Sequence, residues 1–144
     1  MQIREFTHGS DDYRAACALR QAVLRAPLGL DLFTEDLAAE RDQWHFGLFD
    51  DAGTLVACAI ALPLSPTRAK IRQMAVQPAH QGHGCGRELL TAVQATLARR
   101  GFTEVTLHAR RSVEGFYARL GYTATGAPFT EVGLPHIRME RPLP

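Results

Sequence analysis

A glycine-rich loop between an apolar-leaning run and a helical pattern is the feature that most constrains the fold of this chain. The loop reads Gln81-Gly82-His83-Gly84-Cys85-Gly86 and follows the run at residues 71–76. From Arg87 onward, apolar residues recur at helical spacing until Gly101, a residue type common just past a helix end. These positions are Leu89, Leu90, Val93 and Leu97. The order predicts a strand, a glycine turn and a helix.

Such a turn is suited to an anion. Unpaired N–H groups at a helix start, together with the positive end of the helix dipole, attract negative charge. Glycines allow a bulky phosphate to come close to the backbone. Arg87 adds a candidate side-chain contact. We therefore expect the loop to bind a phosphate.

Spacing separates this loop from two common phosphate-binding motifs. A P-loop requires G-x-x-x-x-G-K-[ST], and no part of the chain supplies that lysine and hydroxyl pair. The dinucleotide fingerprint places a third glycine three residues after the second, where this chain has Arg87. The remaining pattern, Q-x-x-G-x-G at residues 81–86, resembles the acyl-coenzyme A loop of the GNAT N-acetyltransferases.

Length and composition favour one ordinary globular domain spanning residues 1–144. Of these 144 residues, 46% are hydrophobic, and the net charge of +1 gives no support for nucleic-acid binding. The charged N-terminus lacks the apolar core of a signal peptide. The longest apolar run, residues 55–64, is about half as long as a membrane span and contains Pro63. We expect a cytoplasmic protein that binds neither nucleic acid nor membrane.

Cysteine usage gives no indication of a metal site. Cys17, Cys58 and Cys85 lie far apart without a metal-ligand spacing, and their odd number argues against a disulfide framework. We therefore expect no metal.

Periodicity and turn residues predict the order β-α-α-β-β-β-α-β-α-β-β, a mixed sheet with helices packed on it. Ser10 or Asp11 caps the first helix, and a short second helix begins around Thr34 or Glu35. Ser112 caps the last helix, and residues 126–128 form a turn region. The predicted strands are residues 2–6, 45–49, 54–62, 68–76, 104–109, 122–125 and 136–140. The fold class is α+β, with three layers.

A second motif extends the resemblance. Phe116, Tyr117, Gly121 and Tyr122 match the F-Y-x-x-x-G-[FY] element of GNAT enzymes, at the usual distance after the glycine loop and with a strand between. The resemblance implies the GNAT acyl-CoA N-acyltransferase fold, a mixed central sheet flanked by helices. Residues 129–139, F-T-E-V-G-L-P-H-I-R-M, are similar to a bacterial branch often called YjcF-like or ElaA-like. Members of that branch commonly lack an assigned acceptor.

The resemblance also implies which residues bind the co-substrate, acetyl-CoA. The strand residues Met74, Ala75 and Val76 would pair with the pantetheine arm. Many GNAT proteins have an Asn six residues before the Phe of F-Y, but here that position is Arg110, a candidate for a phosphate contact instead. The remaining predicted contacts are Gln81, Gly82, His83, Gly84, Cys85, Gly86, Arg87 and Tyr117.

Catalysis of acetyl transfer needs an acid for the leaving thiolate and a base for the amine. By resemblance Tyr117 is the acid or hydrogen-bond donor. Proton transfer from a free Tyr to a thiolate is uphill by roughly 2 kcal/mol, so a hydrogen bond to the developing thiolate is the alternative to full transfer. His136 and Glu131, in the diagnostic C-terminal segment, are the main candidates for the base. His45 and His108 remain alternatives.

The expected function is transfer of an acetyl group from acetyl-CoA to an amine, by direct attack through a tetrahedral intermediate. The acceptor is either a small molecule or a protein amine. The alternative is a catalytically silent acyl-CoA-binding module, a sensor or a partner subunit. Only the missing Asn at position 110 favours it. The sequence is also compatible with a homodimer.

Overall fold

The computed structural model describes residues 1–144 and contains one seven-stranded sheet with the strand order β1-β2-β3-β4-β5-β7-β6. The helices are α1 (Asp11–Arg20), α2 (Cys85–Arg99) and α3 (Glu114–Arg119). The strands are β1 (Gln2–Phe6), β2 (Trp44–Phe49), β3 (Leu55–Pro63), β4 (Arg68–Val76), β5 (Glu104–Arg110), β6 (Thr123–Glu131) and β7 (Leu134–Pro142).

The sheet is mixed, as predicted. β4 and β5 form its one parallel pair, and α2 provides the crossover that a parallel pair requires. All other neighbouring strands are antiparallel. None of the helices combines the length and the apolar character needed to cross a membrane.

Helices on both faces complete three layers. The predicted stripe of α2 is fully buried against the sheet, with Leu89, Leu90, Val93 and Leu97 all 0% exposed. Each such side chain contributes about 1.5–3 kcal/mol by leaving water. On the other face, Ala16 and Leu19 of α1 pack with Cys58 and Ala75 of the sheet. The sheet is thus held between α1 and α2.

Several predicted helix boundaries differ from the structure. Ser10 caps α1 as expected, because its side chain accepts a hydrogen bond from the Tyr13 N–H. The predicted helix from residue 34 or 35 is wrong. Two 3₁₀ turns, Leu32–Thr34 and Leu37–Asp42, occupy this region, each opened by an aspartate that accepts a backbone N–H. The predicted cap at Ser112 is also wrong, since Arg111–Val113 forms a 3₁₀ turn before α3.

The C-terminal strands are longer than predicted. β6 runs through residues 126–128, where the register shifts between Thr125 and Phe129, so these residues form a bulge and not the predicted turn. The actual turn is Val132-Gly133, with φ of 46° and 75°. Positive φ at both positions is typical of a two-residue hairpin loop. The hairpin brings Glu131 and His136 to the same tip of the sheet.

A buried polar network fixes residues 21–43, the segment after α1 that leads to β2. Arg20 donates to both carboxylate oxygens of Glu40 at 2.8 and 2.7 Å, and the Tyr13 hydroxyl donates to Glu40 at 2.7 Å. Burial alone would raise the pKa of Glu40, but the hydrogen bonds from Arg20 and Tyr13 bring it below its ordinary value. His45 contacts the Glu40 carbonyl oxygen at 2.9 Å and is 3% exposed. His45 is therefore a core residue.

Replacing Glu40 tests this network. Glu40→Gln should lower the free energy of unfolding by about 3–5 kcal/mol at neutral pH, because Arg20 keeps a buried charge without its partner. The folded-state pKa of Glu40 is lowered, so its stabilisation is complete above the unfolded value of about 4.3 and is lost as the pH falls through the folded value. The difference between the two proteins in urea unfolding should therefore shrink in acid.

Glu5 provides the matched control. It pairs with Arg100 at the surface, with both side chains about one-third exposed. Glu5→Gln should change stability by less than about 1 kcal/mol. Equal effects of the two substitutions would contradict a special role for the buried pair.

Candidate active site

The central feature of the site is the divergence of β4 and β5. The two strands pair only over Arg68–Ile71 and Glu104–Leu107. Both then continue, β4 to Val76 and β5 to Arg110, without pairing with each other. A cleft of about 830 Å³ opens between them, within the size range of small-molecule sites. The β4 backbone facing the cleft is free to pair with an extended ligand.

A bulge in β4 accompanies this divergence. Ile60 of β3 pairs with Arg72 and Cys58 pairs with Ala75, so β4 carries one extra residue. Gln73 lies in this bulge with φ of 56°, a left-handed conformation that is uncommon outside glycine. Arg25 contacts the bulge by donating to the Gln73 side-chain oxygen at 3.4 Å, and it also donates to Glu35 at 2.7 Å. Arg25 thus ties the segment after α1 to the bulge.

The glycine loop closes one end of the cleft. The Gln81 side chain donates to the Val76 carbonyl oxygen at 3.0 Å and joins the end of β4 to the loop. Gly82 and Gly84 adopt φ of 78° and 81°, and α2 begins directly afterwards at Cys85, two residues before the predicted start. The first N–H groups of α2 have no side-chain cap. They are available to an anion.

The structure brings nearly all the predicted coenzyme-binding residues together. His83 is the exception, because it is exposed and does not line the cleft. Cys85, the first residue of α2, is only 5% exposed and packs in the core. Arg110 lines the cleft and donates to the Leu24 carbonyl oxygen at 3.2 Å. The predicted coenzyme-binding residues that line the cleft are Met74, Ala75, Val76, Gln81, Gly82, Gly84, Cys85, Gly86, Arg87, Arg110 and Tyr117.

Tyr117 lies on α3 and lines the same cleft. Its half-buried ring packs edge-on against Phe116 and Tyr122, with centroid distances of 5.1 and 5.7 Å. Burial raises the pKa of Tyr117 to about 12. The hydroxyl therefore keeps its proton at neutral pH and can donate a hydrogen bond.

Polar side chains of β5 and of the β6–β7 hairpin meet at the opposite wall. Glu131 lies 2.9 Å from His108 Nδ1 and 3.7 Å from His136 Nε2. Burial would raise the pKa of Glu131, but the hydrogen bond with His108 and the charges of His108, His136 and Lys70 lower it. No group of three or more His, Cys, Asp or Glu side chains is arranged to hold a metal ion. The cluster is thus organised around an ionised carboxylate.

The hydrogen bond of His136 defines its tautomer. Its Nδ1 lies 2.9 Å from the Leu134 carbonyl oxygen, which only accepts, so Nδ1 carries the proton. In the neutral ring Nε2 is then a proton acceptor, and it faces Glu131. The two residues predicted from the C-terminal segment are therefore neighbours, and His108 joins them.

Sequence reasoning missed other residues of the cleft. Lys70, the only lysine of the chain, lines the cleft with its Nζ 3.4 Å from His108 Nδ1. Its place on the same strand as Arg72 and Met74 was the one available signal. Nothing in the local sequence distinguishes Arg25 or Glu35, because Arg25 bonds to Gln73, which lies 48 positions further along the chain, and Glu35 bonds to Arg25.

Solved structures share this architecture. A crystal structure from Lactobacillus plantarum, proposed to be an N-acetyltransferase, has a TM-score of 0.86 and 28% identity and covers 99% of both chains. Escherichia coli ElaA has a TM-score of 0.83 at 24% identity and covers 98% of this chain and 99% of its own. An aminoglycoside 6'-N-acetyltransferase complexed with coenzyme A shares the fold at 16% identity, with a TM-score of 0.82 and coverage of 99% and 97%.

The sheet with its diverging strands is thus the acyl-CoA N-acyltransferase fold. Residues 28–143 match the family described as the Acetyltransferase (GNAT) domain. The uncharacterized Bacillus subtilis N-acetyltransferase YitI is 32% identical over 87% of this chain and 88% of its own length. A shorter match to Bacillus subtilis YyaT, at 27% identity, covers 51% of this chain and about half of that protein, 49%. The chain belongs to the GNAT family of N-acetyltransferases.

Proposed function

We propose that the protein transfers an acetyl group from acetyl-CoA to an amine, by direct attack through a tetrahedral intermediate. The observation that carries this proposal is the free edge of β4, placed between the glycine loop and Tyr117 in one cleft. The acceptor is an amine of a small molecule or of a protein. The complex of an aminoglycoside 6'-N-acetyltransferase with coenzyme A supports the donor assignment by analogy of fold.

Backbone groups hold the donor in this proposal. The pantetheine arm pairs with Met74, Ala75 and Val76 as an added strand, and a backbone N–H there stabilises the oxyanion that develops on the thioester. The N–H groups of residues 82–86 bind the pyrophosphate, together with Arg87. Arg110 supplies a second cation near the end of β5.

Tyr117 assists the leaving thiolate. A thiol has a pKa near 8.5, whereas the pKa of Tyr117 is about 12, so complete proton transfer would be uphill by about 5 kcal/mol. This is more than the value for a free tyrosine. Tyr117 therefore acts as a hydrogen-bond donor to the developing thiolate, and the thiolate takes its proton later from solvent.

His136 is the general base, and Glu131 supports it. The Leu134 carbonyl oxygen fixes the proton on Nδ1, which leaves Nε2 to take the proton of the amine directly or through a water. The Glu131 carboxylate, 3.7 Å from Nε2, then stabilises the imidazolium. The lowered pKa of Glu131 makes it a weak base, which favours an electrostatic role for this carboxylate. His108 orients Glu131 from the other side.

The catalytically silent module receives no support from the relatives, which include named acetyltransferases. Three further expectations stay predictions. They are a single domain over residues 1–144, a cytoplasmic location and a homodimer.

Tyr117→Phe should lower kcat about a hundredfold and leave the Kd for acetyl-CoA unchanged, because the hydroxyl acts on the leaving group and not on ground-state binding. Thiol release and calorimetric titration measure the two quantities. Tyr122→Phe is the matched control, since the Tyr122 hydroxyl bonds to Gln94 at 2.5 Å and the residue does not line the cleft. If Tyr117→Phe and Tyr122→Phe turn over equally, Tyr117 is not the donor.

Gly84→Val should abolish acetyl-CoA binding while the protein stays folded. A β-branched residue at φ of 81° forces the loop to change and blocks the approach of the phosphates. Gly53 has the same φ and an equally open surrounding, but it lies in the turn between β2 and β3. Gly53→Val should lower the free energy of unfolding by about 1–3 kcal/mol, the usual cost of a strained backbone conformation, and should leave acetyl-CoA binding unchanged. Calorimetric binding by Gly84→Val as tight as in the unmodified protein would refute the loop assignment.

A further inference from the structure

The cleft carries a surplus of positive charge. Its lining contains two carboxylates, Glu35 and Glu131, and five cationic side chains: Arg25, Lys70, Arg72, Arg87 and Arg110. Glu35 is already paired with Arg25 at 2.7 Å, and Glu131 contacts two histidines. The other four cations have no carboxylate partner within salt-bridge distance. The cleft therefore contains more cationic side chains than carboxylates to pair with them.

These four cations fall into two groups by position. Arg87 and Arg110 lie at the glycine loop and the end of β5, where the proposed function places the donor phosphates. Lys70 and Arg72 precede the thioester-binding residues 74–76 on β4. They are two residues apart, so they leave the same face of the sheet, opposite to Ile71, which packs beneath α2. The second pair therefore belongs to the acceptor side of the cleft.

Neither member of this second pair forms a salt bridge. Arg72 donates to the neutral amide of Gln43 at 2.7 Å, and the Lys70 Nζ lies 3.4 Å from His108 Nδ1. Burial lowers the pKa of Lys70, Glu131 partly offsets this, and the charge of Arg72 lowers the pKa further. Two like charges held together in a half-buried position are relieved by an anion between them.

We propose that the acceptor is a small primary amine that also carries an anionic group, a carboxylate or a phosphate, which Lys70 and Arg72 bind while the amine faces His136 and Glu131. This inference rests on the proposed acetyl transfer. Lys70 Nζ lies 3.4 Å from His108 Nδ1, and the Glu131 carboxylate lies 2.9 Å from the same atom. The ammonium and the carboxylate are therefore close to each other. One small zwitterion spans that distance. A polyamine would instead place positive charge against Lys70 and Arg72.

Matched amines test the proposal with the full chain and acetyl-CoA. Alanine is compared with alaninamide, and 2-aminoethyl phosphate with ethanolamine, by release of the coenzyme thiol. The anionic member of at least one pair should have a kcat/KM about tenfold or more above its neutral counterpart, the range of a charge-assisted hydrogen bond. Lys70→Met and Arg72→Met should each reduce this ratio severalfold and leave the Kd for acetyl-CoA unchanged.

Arg138→Met is the control for loss of charge. Arg138 lies opposite His108 in the β5–β7 ladder but does not line the cleft, so this variant should keep the ratio. Circular dichroism verifies that each variant is folded. If one of the two cleft variants, Lys70→Met or Arg72→Met, does not fold, the other still tests the proposal.

Two results would overturn the inference alone. The first is a kcat/KM for each neutral amine that equals or exceeds that of its anionic counterpart. The second is a ratio of anionic to neutral kcat/KM that stays unchanged in both Lys70→Met and Arg72→Met. Tight acetyl-CoA binding without turnover of any amine would overturn the proposed function and this inference with it.

Discussion

The hydrogen-bonded ladder between β4 and β5 ends at Ile71 and Leu107 although both strands continue, and the rest of the site depends on this ending. Backbone N–H and C=O groups inside a protein require partners. The edge at residues 74–76 lies between covered layers, so an amide-containing ligand of extended shape satisfies it better than water does. The bulge at Gln73 accompanies the divergence, and Arg25 connects it to the segment after α1. The α2 crossover places a helix N-terminus at the mouth of the cleft.

This arrangement divides the site into a half built from backbone and a half built from side chains. In the proposed mechanism, donor binding relies on a strand edge and a glycine loop, which many sequences can form, so family membership is readable from few residues. In the proposed mechanism, acceptor binding and proton transfer rely on Lys70, His108, Glu131 and His136, which come from four different strands. In this proposal their chemistry selects the acceptor amine, and their grouping becomes visible only when the strands are brought together.

The limits of sequence reasoning follow from the same distinction. The strand, loop and helix around Gly84 and the stripe through Leu89 were predictable, because local spacing encodes them. The run through β6 was not, since Gly126 favours a turn locally and only pairing with β7 overrides it. The true turn contains Val132 at φ of 46°, a conformation that β-branched residues avoid. Lys70 and His108 lie 38 positions apart, so no local pattern joins them.

Amide hydrogen exchange with and without acetyl-CoA tests the central claim most directly, because it reports on the open edge of β4 residue by residue. If the pantetheine arm completes the sheet, exchange should slow at one or more of the amides of Met74, Ala75 and Val76, and at the glycine loop. The amides of β1, at the far edge of the sheet, should not change. Saturating acetyl-CoA that leaves the amides of residues 74–76 unprotected would contradict the account.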